Sequence, residues 1–421
     1  MNSEKPNANR LHGSAFIFLL LMAVASLFND MTFEGANSVL GSFEDFLGAP
    51  TMVIAVIGGV AALLGSSLRI LFGYLTDKTG KYWLFTILGY AIDMAAVPCL
   101  ALVPRNGWVL AIVFILAERV GKAVKKPAKS SLMSFASKQL GEGKSFALGE
   151  AMDQVGACLG PLLLTGIYLF MGEAERYLKY IVGFACLAIP GSLCVLMLVL
   201  AKRKYPNPEQ FEASKPKEQL GSFWKSKAFM LFVFAAAIFA AGYMDSFSLI
   251  NKHIYSLGII SVENLPLLYS YAMFIDAISA LFFGFLYDKI SFASVGLAAL
   301  LTAPYAFCFF LTDKLWAIFL GLTAWGIGMG AMESVLLSGV ATLSRKEERA
   351  RAYGFFELFY GLSSFGFSFL VAYLYDTSAM ALCIFSCVCV AVAAALFFLC
   401  SPLSKSKGEN KEMKIDENAS K

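Results

Sequence analysis

The sequence predicts an all-α membrane protein of twelve transmembrane helices arranged six plus six, and three observations predict it. The composition is 58% hydrophobic and only 15% charged, with a mean hydropathy of +0.68. A soluble chain of 421 residues needs far more polar surface than that. Apolar runs of about 18 residues or more recur from end to end, each long enough to cross a bilayer as a helix. A charged, proline-containing stretch, AKRKYPNPEQFEASKPKEQLGS, then divides the runs into two sets of six.

Hydropathy and breakers place the spans near 14–40, 51–75, 82–103, 107–135, 145–171, 177–201, 227–257, 264–287, 291–311, 314–342, 350–375 and 379–402. The chain therefore reads as a tail over 1–13, a first six-helix set over 14–201, a linker over 202–226, a second set over 227–402 and a tail over 403–421. The linker has the composition of a solvated connection. The Lys- and Glu-rich last tail is expected to be disordered. The first apolar run is too long for a signal-peptide core and lacks a small-residue cleavage site, so no cleavable leader is expected.

Basic residues set the orientation. Of the 34 Lys and Arg, about 26 lie in the termini, the even-numbered loops and the span ends beside them. About five, Arg105, Arg176, Lys179, Lys252 and Lys314, lie in odd-numbered loops. Arg69, Arg119 and Lys122 fall within spans. Both termini are expected in the cytoplasm, in the cell membrane of a bacterium or archaeon. Trp83, Trp108, Trp224 and Trp316 stand at span ends, as an interfacial belt would.

Several chemistries find no residues here. The nine cysteines all lie in apolar segments, where bulk core packing explains them; of the two histidines, His12 lies in the N-terminal tail and His253 near a helix end. No metal site or cofactor is expected, and no nucleophile–base set suggests an enzyme. No Gly-rich phosphate cradle suggests ATP use, and no basic-aromatic run suggests nucleic-acid binding. An ion gradient is then the expected energy source.

The halves repeat. Asp30 precedes Asp77 by 47 residues and Asp245 precedes Asp288 by 43; Gly149 and Gly156 match Gly354 and Gly361 at a shared spacing of seven. Between the second and third spans, RILFGYLTDKTGKYW packs Asp77, Lys78, Lys81, Gly73 and Gly80 into a polar knot. GFLYDKIS repeats it at Gly284, Asp288 and Lys289. Duplicated six-helix halves around a basic central loop are a transporter architecture.

The knot resembles the loop signature of the major facilitator superfamily: Gly, three residues, Asp, a basic residue, any residue, Gly, then basic residues. Gly73, Asp77, Lys78, Gly80 and Lys81 match, and Tyr82 departs where a second basic residue is usual. Gly156, Gly160 and Pro161 in GACLGPLLLTG resemble the fifth-span motif typical of that family's antiporters. Together with the twelve spans, the resemblance covers essentially the whole chain. It implies two six-helix bundles around a central cavity and transport by alternating access. It also implies that the knot is a cytoplasmic latch. The glycines would let helix ends approach closely. Asp77 would cap the start of the eleventh span near Arg351 to Gly354, and Asp288 would approach the fifth near Ser145 to Gly149.

Charge at bilayer depth costs about 2.5–3.5 kcal/mol on insertion scales, so each such residue is a functional candidate. Asp30 stands about 14 residues beyond Phe16, hence roughly 20 Å into the core. Glu34 follows one turn later on the same face, and Asp245 mirrors Asp30 in the second half. Some drug exporters of the resembled family carry first-span acids that bind protons and cations. In the fourth span, LAERVGKAVKKPAKSS, Glu118, Arg119 and Lys122 fall deepest; Lys125, Lys126 and Lys129 descend toward the cytoplasm and read best as a lipid-facing collar. The family often has an arginine at this depth, and Arg119 is the candidate, with Asp153, Asp30 or Glu118 its expected partner. Asp153 and Gln154 add polar groups in the fifth span beside Gly156. Asp93, in a span usually peripheral in this fold, reads as structural.

The favoured reading is a monomeric, proton-coupled exporter (an antiporter) of a small organic molecule. An importer or facilitator of an organic anion, drawn by the fourth-span cations, is the alternative. A non-transporting membrane sensor is the alternative of another class, against which both latch aspartates weigh.

Overall fold

The computed structural model describes residues 8–140, 142–207, 226–244, 246–344 and 349–419. Nearly all of them are helical. The helices are α1 (Ala8–Phe46), α2 (Thr51–Thr79), α3 (Tyr82–Cys99), α4 (Trp108–Leu140), α5 (Glu142–Met171), α6 (Arg176–Cys186), α7 (Ala188–Lys204) and α8 (Lys227–Gly242). Then follow α9 (Phe247–Ser256), α10 (Leu265–Ile290), α11 (Phe292–Thr302), α12 (Tyr305–Phe310), α13 (Leu315–Ala331), α14 (Leu337–Leu343), α15 (Arg349–Thr377) and α16 (Ala379–Ala419). Among the described residues, ten helical stretches are long and apolar enough to cross a membrane by length and composition. The two expected spans outside that set are α4, which carries too many charges, and the seventh span, which is broken into α8 and α9. The sequence reading made the seventh span continuous. Aromatic side chains satisfy the backbone at its break. Tyr305 donates to Gly242 O at 2.8 Å and accepts from Met244 N at 3.1 Å, while the buried Trp325 indole donates to Met244 O at 2.7 Å. Irregular backbone at membrane depth needs such internal partners.

The helices divide into two compact units that do not follow the sequence halves. The first takes the chain up to Ile57, Leu64 through α7, and Phe247–Met273. The second takes Gly58–Leu63, α8 and everything from Phe274. Within the first unit, α9 seats against α1 so closely that a Cβ at Gly41 would lie 1.8 Å from Ser248 O. Asn251 ties the contact by donating to Ser38 O at 2.8 Å and accepting from Ser42 N at 2.7 Å. Within the second unit, Gly58 and Gly59 play the same part: a Cβ would lie 2.5 Å from Ser246 and 2.7 Å from Phe365.

Two further expectations change. Trp83 is buried, its indole donating to Tyr205 O at 3.1 Å, and does not stand in an interfacial belt; Trp316 stays 65% exposed. Helix α16 runs on through Ala419, across the tail expected to be disordered. Lys and Glu are good helix formers, and extending an anchored helix avoids the cost of a new nucleus.

The knot closes α2. Gly80 has φ +65° and its N–H donates to Thr76 O at 2.9 Å, a left-handed C-cap before α3 begins at Tyr82. In the repeat, Ser291 falls on the register of Gly80 and keeps a positive φ, +53°. The repeat keeps the sign of φ but not the conformation, since ψ is 9° at Gly80 and −133° at Ser291. Close helix approach is not what the other two glycines provide. A Cβ at Gly73 would meet Pro127 at an ordinary 3.7 Å, and one at Gly284 would meet nothing within 4 Å. Lys78, which lies over the Tyr74 ring, Lys81, Asp288 and Lys289 are exposed. The side chain of Asp77 and those of Ser145 to Ala147 lie outside the described residues.

Candidate functional site: a buried charge cluster on α1, α3, α4 and α5

Residues Ser26, Asn29, Asp30, Glu34 and Asn37 recur at helical spacing and form one polar stripe along α1, with the Phe33 ring set into it. On α4, Glu118, Lys122, Lys125 and Lys129 follow at i, i+4, i+7 and i+11. Small residues bring these stripes together. At the α3–α4 crossing, a Cβ on Gly89 would lie 2.6 Å from Lys125 N, and one on Gly121 2.6 Å from Asp93 N. At the α1–α5 crossing, a Cβ on Gly156 would lie 2.3 Å from Leu27 O, and one on Gly160 2.2 Å from Met31 O. Gly35 faces Gly160 from the other side. The antiporter-type motif is therefore a backbone-to-backbone seat for α1, with Pro161 continuing α5 one residue on.

The polar groups pair across those seats. Lys125 donates to both Asp93 and Asn29, and lies 4.0 Å from the Tyr90 ring centroid. Asn29 donates in turn to Asp30 Oδ1 at 2.7 Å. Lys129 donates to Ser26 and stands 3.9 Å from Asp153 Oδ2. Lys125 and Lys129 thus turn inward, where the sequence suggested a lipid-facing collar; Lys126 alone of the three is exposed. The glycines at the crossing set this rotation of α4.

Arg119 Nε meets Glu118 Oε2 at 3.1 Å, and Lys122 Nζ stands 3.7 Å from Glu118 Oε1. Both cations lie over the Phe33 ring of α1. Of the three partners expected for Arg119, the structure gives Glu118; Asp153 belongs to Lys129 and Asp30 to Asn29. Glu34 accepts from Asn37 at 3.1 Å and from the Tyr269 hydroxyl of α10 at 2.7 Å. Gln154 lies 3.4 Å from Glu150 on its own helix. The cluster therefore holds Asp30, Glu34, Glu118, Arg119, Lys122 and Asp153 from the sequence reading. It adds Ser26, Asn29, Phe33, Asp93, Lys125, Lys129 and Tyr269. Asp245 lies outside the described residues, at the break of the seventh span.

Comparison with known proteins agrees with the fold. The sequence pattern of the Major Facilitator Superfamily matches residues 120–368 and 260–419. An uncharacterized protein of Mycobacterium tuberculosis is 34% identical over 378 residues, 87% of this chain and 88% of its own. An uncharacterized MFS-type transporter of Methanocaldococcus jannaschii is 27% identical over 386 residues, 90% of this chain and 92% of its own. Among solved structures, a bacterial homolog to the human lysosomal transporter Spinster, inward-facing and unoccupied, superposes with a TM-score of 0.71 at 16% identity over 93% of this chain and 98% of that one. The nucleoside transporter NupG gives 0.69 at 12% identity, covering 92% and 98%. A POT family transporter in complex with 5-aminolevulinic acid gives 0.71 at 14% identity, covering 92% and 96%. With the sequence pattern, the relatives and the helical architecture of many membrane-length spans in accord, this chain belongs to the Major Facilitator Superfamily and is a multi-pass membrane transporter.

Proposed function

We propose that the protein is a proton-coupled exporter of a small organic molecule, working by alternating access as a monomer in the cell membrane with both termini in the cytoplasm. One observation carries the proton coupling. Asp93, Glu118 and Asp153 each have a basic partner within ion-pair distance, whereas Asp30 and Glu34 are hydrogen-bonded only by neutral donors among the described residues, with Lys122 and Lys129 acting on Asp30 from farther off. A carboxylate fixed to a cation stays ionised through a transport cycle. One held by an amide or a phenol in a desolvated site is readily neutralised by a proton. The Gly156–Gly160–Pro161 seat supports export by its likeness to the antiporter motif, and the Lys and Arg bias supports the orientation.

Proteoliposomes enclosing a pH-sensitive dye test the reading. Addition of a transported compound should drive proton movement opposite to the compound, and Asp30→Asn should remove it. Compound flux with no proton movement in the wild-type protein would refute coupling.

A further inference from the structure

We infer that Arg119 and Lys122 form the site that takes the carboxylate group of an organic monoanion, which makes such anions the substrate class. The inference rests on the transporter reading above and gives its cargo a charge.

Two cations share one carboxylate, Glu118, at 3.1 and 3.7 Å. The counter-charge lies beneath them: the Glu118 side chain is 5% exposed, whereas those of Arg119 and Lys122 are each 27% exposed. A molecule arriving at this face meets the cations first. The Phe33 ring, itself buried, braces both from the α1 side.

Geometry narrows the ligand. Arg119 places Nε 3.1 Å from Glu118 without hydrogen-bonding it, and its two terminal amino groups have no hydrogen-bond or ion-pair partner among the described residues. That edge of a guanidinium is a planar fork matched to the two oxygens of a carboxylate. Lys122 adds a point charge beside it. Two positive charges contact one carboxylate, with Glu34 and Asp93 acting on Lys122 from farther off, an arrangement that suits a monoanion better than a dianion. An amine would meet like charge at this face and is disfavoured. The more cytoplasmic cations do not compete for the role, because Lys125 is committed to Asp93 and Asn29, and Lys129 to Ser26 and Asp153.

The test is equilibrium binding to the full-length protein in lipid nanodiscs, read by thermal unfolding. The probes are a panel of monocarboxylic acids, each paired with its primary amide. At least one acid should raise the melting temperature saturably while its amide does not. Arg119→Gln should abolish the shift. Arg119→Lys keeps a charge beside Glu118, so it guards against a folding failure, but loses the fork and should weaken binding about tenfold or more. Stabilisation by an amide as strong as by its acid, a shift retained in Arg119→Gln, or no response to any acid would overturn the inference. Binding in nanodiscs needs no gradient and no turnover. Acid binding without substrate-driven proton movement would therefore sink the coupling and leave this inference standing, and the converse result would do the reverse.

Discussion

Lys125 of α4 and Asp93 of α3 form an ion pair at the α3–α4 crossing with side chains 7% and 0% exposed, and the same ammonium reaches across to Asn29 of α1. One cation thus ties three helices together and, through Asn29, orients Asp30. Breaking a buried pair by removing one partner costs about 3–5 kcal/mol, because the other charge is left uncompensated. Asp93→Asn should therefore lower the melting temperature of the purified protein steeply. The double variant Asp93→Leu with Lys125→Met should recover most of the loss, since neither charge then remains. If the double variant is no more stable than Asp93→Asn, the pair is not the structural tie.

The glycines of the α1–α5 seat make a sharper steric prediction. A Cβ at Gly160 would fall 2.2 Å from Met31 O, a backbone atom that cannot swing aside. Gly160→Ala should cost about 1–3 kcal/mol or more through forced separation of the helices. Gly166→Ala, where nothing lies within 4 Å, is the control from the same helix and should be neutral or mildly stabilising. Thermal unfolding of the two variants side by side decides it.

What the sequence disclosed follows from what stands out in an apolar run. Charges inside spans are conspicuous, so Asp30, Glu34, Glu118, Arg119, Lys122 and Asp153 could be picked out by hydropathy alone. Their partners could not. Asn29, Phe33 and Tyr269 are ordinary in a membrane helix and join the cluster only through the neighbour that packing supplies. Lys125 and Lys129 were misplaced because α4 carries charge on more than one face, so hydropathy leaves its rotation undetermined. Gly89 and Gly121 fix that rotation, and small residues at crossings were the signal available. The break of the seventh span escaped for a related reason. Its backbone is satisfied by Tyr305 and Trp325, 61 and 81 positions away from Met244.

Ser291 offers a test of the repeat. It holds φ +53° with ψ −133°, a region that disfavours any side chain, where its counterpart Gly80 holds φ +65°. Ser291→Gly should relieve the strain and stabilise the protein by about 1 kcal/mol, offset in part by the greater freedom of glycine in the unfolded chain. Gly80→Ala should destabilise by a similar amount. An unchanged melting temperature for both would mean the two turns relax without cost.

The last prediction concerns Asp30. It accepts from Asn29 at 2.7 Å, and Asn29 is itself pinned by Lys125, so the carboxylate is held in place by a neutral amide with the cation one step removed. That arrangement fixes the geometry without fixing the charge. A proton can be taken up without breaking an ion pair, and it can be lost again when access to the opposite side opens. Asp30→Asn keeps the shape, and its carbonyl still accepts from Asn29, but it cannot titrate. In proteoliposomes the variant should bind and exchange substrate across the membrane at near wild-type rates. Uphill movement driven by an imposed pH gradient should be abolished. Glu34→Gln is the informative companion, because Glu34, one turn along α1, is likewise hydrogen-bonded only by neutral donors among the described residues. If Asp30→Asn still drives uphill transport with wild-type pH dependence while Glu34→Gln does not, the coupling proton resides one turn further along α1.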